Sequence, residues 1–168
     1  MMPRRIKFLI VSSSAIILIA VASVVTLAPK LVWNASNSAP LGLYWIAQQP
    51  PKLGEFALIK PSDPIAELIT TRGYLPPDIP LIKRVSATSG DEICRENQAI
   101  LINNNHVADA LMVDSLGRKM PLWSGCFTLQ SDEIFLLNDH EKSLDGRYFE
   151  ATNSRDVIGA AIPVWVKE

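Results

Sequence analysis

The chain has no excess of basic charge: 16 Lys and Arg stand against 17 Asp and Glu, for a net charge of -1 and a pI near 6.1. That balance argues against a nucleic-acid partner, which needs a basic patch for its phosphates. Histidine is scarce too, and neither His106 nor His140 sits in a recognisable triad arrangement. Cys94 and Cys126 are the only cysteines and have no histidine neighbours at ligand spacing, so no zinc site, and no metal or other cofactor, is implied. Internal repeats and low-complexity segments are absent. Charge is also missing from Phe8 to Leu27, and this absence is the most informative of all.

Those roughly twenty residues would span about 30 Å as a helix, near the thickness of a hydrocarbon core. Arg4, Arg5 and Lys7 precede them, so the positive-inside rule leaves residues 1–7 cytoplasmic and puts everything after Lys30 outside. The expectation is a retained single-pass anchor over 8–27, with an extracytoplasmic domain over 28–168 on the outer side of the inner (cytoplasmic) membrane. A cleavable signal peptide ending at Ala20-Val21-Ala22 is the alternative, though the apolar run is longer than such peptides usually need. Two cysteines in an exported domain read as a Cys94–Cys126 disulfide, with two buried free thiols as the other possibility.

Beyond the anchor, Trp33, Tyr44 and Trp45 are suited to a membrane interface. Glu55 to Lys60 reads as a buried strand. Asp63 to Gly73 is the best soluble helix signal, with Asp63 as cap, Pro64 in the first turn, Ile65, Leu68 and Ile69 on one face, and Gly73 as terminator. Leu81 to Ala87, Glu92 to Arg95 and Ala99 to Ile102 read as strands, and Asn103-Asn104-Asn105 as the turn of a hairpin toward His106 to Ala108. Residues 109–124 look irregular and exposed. Cys126 to Leu129, Glu133 to Leu137 and Val157 to Val166 complete a set of about seven strands, a mostly antiparallel β domain with one short helix.

Two stretches carry the candidate chemistry. In Asn34 to Tyr44, Pro40 fixes φ and biases Ala39 toward an extended conformation, while Gly42 permits a turn or a close backbone approach. Such a segment can present Ser38 rigidly, and it can equally be a linker leaving a membrane. On the Leu81–Ala87 strand, Leu81, Lys83 and Val85 share one face, with Ile82 and Arg84 on the other. A lysine between Leu and Val is exposed to desolvation, which lowers its pKa. A neutral lysine within reach of a serine hydroxyl makes a Ser–Lys dyad, whereas a lysine at a sheet edge simply snorkels.

The combination Asn34-x-Ser36-x-Ser38-x-Pro40-x-Gly42-Leu43-Tyr44, then Lys83-Arg84-Val85 with Gly90-Asp91, resembles the membrane-bound signal peptidases of the Ser–Lys class. A third block, Asp139-His140 followed by Ser143-Leu144-Asp145-Gly146-Arg147-Tyr148-Phe149, and the closing Val157 to Trp165, are similar to the conjugative-transfer, TraF-type branch that matures pilin subunits. The resemblance implies a signal-peptidase-like antiparallel β domain, Ser38 as nucleophile and Lys83 as general base. It implies that Ser36 and the Ser38 N–H form an oxyanion hole and that Ser143 orients the lysine. Asp145 then organises the site and, as a negative charge, needs pairing with Arg147 or Arg84. Asp145 and Arg147 would share a face of an extended segment. Leu137-Asn138-Asp139-His140 departs from the general signal peptidases, and Glu150 stands where a glycine is common.

The resulting expectation is a membrane-anchored serine endopeptidase that cleaves an exported precursor, such as a pilin subunit, beside other proteins of a conjugation apparatus. A tethered β domain that scaffolds a secretion complex without catalysis is the alternative. A self-cleaving repressor-type peptidase fits poorly with the apolar N-terminus.

Overall fold

The computed structural model describes residues 3–24 and 30–167. Helix α1 covers Arg4–Val24. Of the expected 8–27 span, residues 25–27 lie outside the described residues, as do residues 1–2 of the cytoplasmic segment, residues 28–29 and Glu168. Among the described residues no helix is long and apolar enough to cross a membrane.

Among the described residues eleven strands follow: β1 (Leu31–Asn34), β2 (Leu41–Ala47), β3 (Phe56–Ile59), β4 (Leu81–Ala87), β5 (Glu92–Glu96), β6 (Ala99–Ile102), β7 (Asn105–Asp109), β8 (Gly125–Thr128), β9 (Glu133–Leu136), β10 (Thr152–Asn153) and β11 (Val157–Lys167). Helix α2 (Asp63–Thr71) lies between β3 and β4, and α3 (Gly146–Phe149) between β9 and β10. Seven strands form one sheet in the order β1-β2-β11-β3-β4-β9-β10, and four form a second in the order β7-β6-β5-β8. The paired strands within both are antiparallel. The mostly antiparallel β class therefore holds, with more strands than expected and a second short helix.

The sequence reading lacks the short β10 and, near the candidate site, β1 and β2. Asn34 pairs with Gly42 in their hairpin, so the suspected linker is a loop closed by a ladder. Tyr44 is fully buried rather than interfacial, its hydroxyl donating to the Pro40 carbonyl at 2.8 Å, whereas Trp33 and Trp45 are exposed. Gly42 has φ +143°, and a Cβ there would lie 2.0 Å from the Trp165 carbonyl oxygen on β11. The glycine permits a close strand approach, one of the two uses open to it in the sequence.

The N-cap position of helix α2 is Ser62, whose side chain makes no capping bond, and Asp63 occupies the first turn instead. Gly73, at φ +67°, ends it as expected. Asn103 and Asn104 have φ +49° and +65°, which gives the β6–β7 hairpin its turn. Residues 109–124 are not simply irregular. Ala110 is fully buried, and Asp114 accepts hydrogen bonds from the Tyr74 hydroxyl and Arg118 Nε, each at 2.6 Å. Those bonds, with the Tyr74 contribution first, hold the Asp114 carboxyl well below the usual range. Cys94 and Cys126 are directly opposed on β5 and β8 and are joined by a disulfide.

Glu150 lies at φ +63°, ψ -142°, a backbone region that glycine occupies freely and a side chain does not. Substitution Glu150→Gly should therefore stabilise the chain by about 1 kcal/mol, the lower end of the strain such a residue carries. Gly42→Ala should do the reverse, costing about 2 kcal/mol or more through overpacking and a forced φ. Urea unfolding of the two variants measures both signs.

Candidate active site

Burial along β4 follows the alternation of its sequence. Leu81 and Val85 pack into one apolar cluster with Ala57 and Ile59, and Ile82 packs into another with Phe56 and Leu58. Lys83 faces the first of these and is only 3 % exposed. Burial lowers its pKa from the ordinary 10.5 to about 8; nearby Asp145 works against that lowering and Arg147 with it. The amine does not snorkel. It donates to the Ser143 hydroxyl at 2.9 Å, and Ser143 is itself fully buried.

Asp145 caps α3, accepting the Arg147 N–H, and its other oxygen takes the Arg147 guanidinium at 2.7 Å and the Asn138 N–H at 3.1 Å. Sequence reasoning expected Asp145 and Arg147 to meet across an extended segment. They meet instead around a helical turn, because Gly146 allows α3 to lie directly on β9: a Cβ there would be 2.7 Å from the Phe135 ring. Arg95 on β5 and the Trp123 indole donate to the Arg147 carbonyl at 2.7 and 3.1 Å, tying the second sheet to this turn. Burial pushes the Asp145 carboxyl up, while Arg147, Lys83 and the hydrogen bonds from Asn138 and Ser143 pull it back.

Arg84 is not a partner of Asp145. It lies on the opposite face of β4, over the Phe56 ring at 4.4 Å, and reaches exposed Asp139 at 3.6 Å. The residue that sequence reasoning missed here is Asn138. Its side chain accepts the Arg84 N–H and donates to the Ile82 carbonyl, so it clamps both neighbours of Lys83. A lone amide directly after the apolar run Ile134 to Leu137 was the available signal.

The nucleophile candidate lies in the β1–β2 loop. Ser36 Oγ and Ser38 Oγ are 3.1 Å apart, and Asn34 accepts hydrogen bonds from both the backbone and the hydroxyl of Ser36. Asn34, Ser36, Ser38 and Lys83 all line one cavity of about 860 Å³, whose walls are mostly apolar and include Leu81, Leu144 and Tyr148. Within it Lys83 Nζ is bonded to Ser143, and Ser38 to Ser36, rather than the two to each other. Neither histidine lines it, and no group of three metal-ligating side chains occurs among the described residues. A serine hydroxyl and a buried, weakly basic amine on one apolar cavity are the components of nucleophilic acyl transfer.

Comparison with known families gives one match over nearly the whole chain. The family model described as signal peptidase, peptidase S26, matches residues 4–166. Two curated relatives from Escherichia coli, each named plasmid transfer protein TraF, are similar to this chain. One is 29 % identical, with 96 % of each chain covered, and the other 28 % identical, with 78 % of this chain and 80 % of the relative covered. A solved signal peptidase I from Enterococcus faecalis aligns at TM-score 0.39 and 15 % identity, covering 68 % of this chain and 98 % of that one.

A lysine whose folded pKa is depressed makes the folded state bind fewer protons than the unfolded one. Stability therefore rises with pH between about 8 and 10.5, with the full penalty present below that window. At 1.36 kcal/mol per unit the rise from Lys83 is about 3 kcal/mol. Lys83→Met should remove it, so the variant's stability minus the wild type's should fall by that amount from pH 8 to 10.5. Denaturant unfolding across the window measures this, with the other titrating groups common to both proteins.

Proposed function

Because the chain belongs to the signal peptidase family, peptidase S26, we propose that it is a serine endopeptidase working through a Ser38–Lys83 dyad. The observation that carries this reading is the 3 % exposed Lys83, with its pKa lowered to about 8, on the cavity that also holds the Ser36 and Ser38 hydroxyls. Neutral Lys83 takes the Ser38 proton as Ser38 Oγ attacks the scissile carbonyl. The oxyanion is met by the Ser36 hydroxyl and the Ser38 N–H, the leaving amine receives the proton from Lys83, and water then hydrolyses the acyl-enzyme. Ser143 orients the amine, while Asp145 and Arg147 neutralise each other beside it.

The reading extends to place and substrate. Residues 1–7 are cytoplasmic, 8–27 form a single-pass anchor in the inner membrane, and 28–168 form the extracytoplasmic peptidase domain. Support comes from α1, where Phe8, Val11, Ile16, Leu18 and Ile19 are all exposed in the free chain, and from exposed Trp33, Trp45 and Trp165 on the neighbouring strands. A helix apolar around its circumference needs an apolar solvent. The Cys94–Cys126 bond suits an oxidising compartment. The names of the curated relatives support a role in plasmid transfer; the substrate we propose is an exported, pilin-like precursor, with other proteins of the transfer apparatus as partners.

Cleavage of a co-expressed pilin precursor tests the reading. Ser38→Ala and Lys83→Ala should each lower cleavage by about 10³-fold or more while the protein still inserts and folds. Retained cleavage in Lys83→Ala would leave a tethered, non-catalytic β scaffold as the better reading. In the wild type kcat/KM should climb about tenfold per pH unit below pH 8 and level off above it, as the amine loses its proton.

A further inference from the structure

Asn34 ends β1 and is 8 % exposed, and its carboxamide makes five hydrogen bonds to the loop that follows. Nδ2 donates to the carbonyls of Ser36, Ala39 and Pro40 at 3.0, 2.9 and 3.1 Å. Three carbonyl oxygens around one end of the amide settle its orientation, so the opposite end is oxygen. That oxygen accepts the Ser36 N–H at 3.1 Å and the Ser36 hydroxyl at 2.9 Å.

Proton accounting then gives the Ser36–Ser38 contact a direction. An amide oxygen has no proton to offer, and a hydroxyl has one. Ser36 uses its proton on Asn34, so across the 3.1 Å contact Ser38 is the donor. In the free chain the order is Ser38 to Ser36 to Asn34. Neither hydroxyl proton is then aimed as the reaction requires, because Ser38 must give its proton to Lys83 and Ser36 must give its own to the oxyanion. For Ser36 the change is a rotation about Cβ–Oγ; Ser38, which makes no hydrogen bond to Lys83 in the free chain, must also come within reach of its amine. The Ser36 backbone need not move, because its N–H stays on Asn34.

We propose that Asn34 is a positioning residue for acyl transfer, one that holds the Ser36 backbone in place and parks the Ser36 hydroxyl proton until a substrate carbonyl competes for it. The proposal rests on the serine-peptidase reading above. It assigns Asn34 no contact with substrate, so its effect must pass through Ser36.

A double-mutant cycle on the purified full-length chain in detergent, with a peptide spanning the cut site, tests that route. Ser36→Ala should lower kcat by about 10²–10³-fold, the usual loss of one oxyanion donor. Asn34→Ala should lower kcat by roughly 10²-fold with KM within about threefold, being a loss of transition-state stabilisation only. The double variant should fall no more than about threefold below the worse single one, since residues acting as a unit are not additive. Losses that multiply, or a change confined to KM, would overturn the proposal. Asn34→Asp guards against a loop that collapses in Asn34→Ala. It keeps an oxygen facing Ser36, so adding Ser36→Ala to it should still cost most of the full factor, and a negligible cost there would equally overturn the proposal. Ser38→Ala in the same assay separates the two levels. If it is inactive while the losses multiply, only the role of Asn34 fails; if it is active, the serine-peptidase reading fails and takes Asn34 with it.

Discussion

The rest of the site depends on a charge balance in the interior. Lys83, Asp145 and Arg147 are 3 %, 1 % and 3 % exposed, and three ions so placed cost several kcal/mol each unless they are compensated. The carboxylate and guanidinium meet at 2.7 Å and share Asn138, which gives its N–H to one and takes an N–H from the other with its carbonyl. That closed pair is neutral, which leaves any charge on Lys83 as the net charge of the buried group. Apolar surroundings resist a net charge, so the amine's pKa falls. Asp145 by itself favours the protonated amine, and Arg147 beside it opposes that field.

This balance explains why distant parts of the chain converge on a short helical turn. Gly146 lets α3 sit against β9 without a clash, and Asp145 caps the turn it precedes. Arg95 from the second sheet and Trp123 from the segment before β8 then satisfy its carbonyls. The four-stranded sheet, with its disulfide between β5 and β8, acts as the back wall that keeps Arg147 aimed at Asp145. The strain at Glu150, immediately after the turn, follows from the abrupt exit the chain must make there.

Local chemistry was legible in the sequence, and long-range contact was not. The alternation of Leu81 to Ala87 revealed which face Lys83 occupies, and the asparagines at 103 and 104 marked a turn, because period and φ preference are properties of adjacent residues. Tyr44 was misplaced because an aromatic near an apolar run reads as interfacial until its partner strands are known. Composition left a linker open as the alternative for residues 34–44 for the same reason: β11, which needs Gly42 to approach β2, lies more than a hundred residues away in the chain. Asp145 and Arg147 were paired correctly on the wrong backbone, since charge complementarity survives either conformation. Asn34 and Asn138 were passed over because an amide shows no function until the groups around it are counted.

Hydrogen-bond counting also bears on what the substrate-free arrangement accomplishes. A neutral amine has two N–H groups and one lone pair, and committing an N–H to Ser143 restricts where that lone pair can point. Ser143 is fully buried and fixed by its own N–H bond to the His140 carbonyl, so the restriction is built into the fold rather than induced. On the other wall, Asn34 fixes Ser36, and Ser36 holds Ser38. On the proposed reading, each reacting group is thus held by a partner that is itself held, and what remains is to bring Ser38 within reach of Lys83, to which it is not bonded in the free chain. A substrate would then meet groups already fixed by the fold. Preorganisation of that kind favours the transition state because little is left to reorganise when the bond is made.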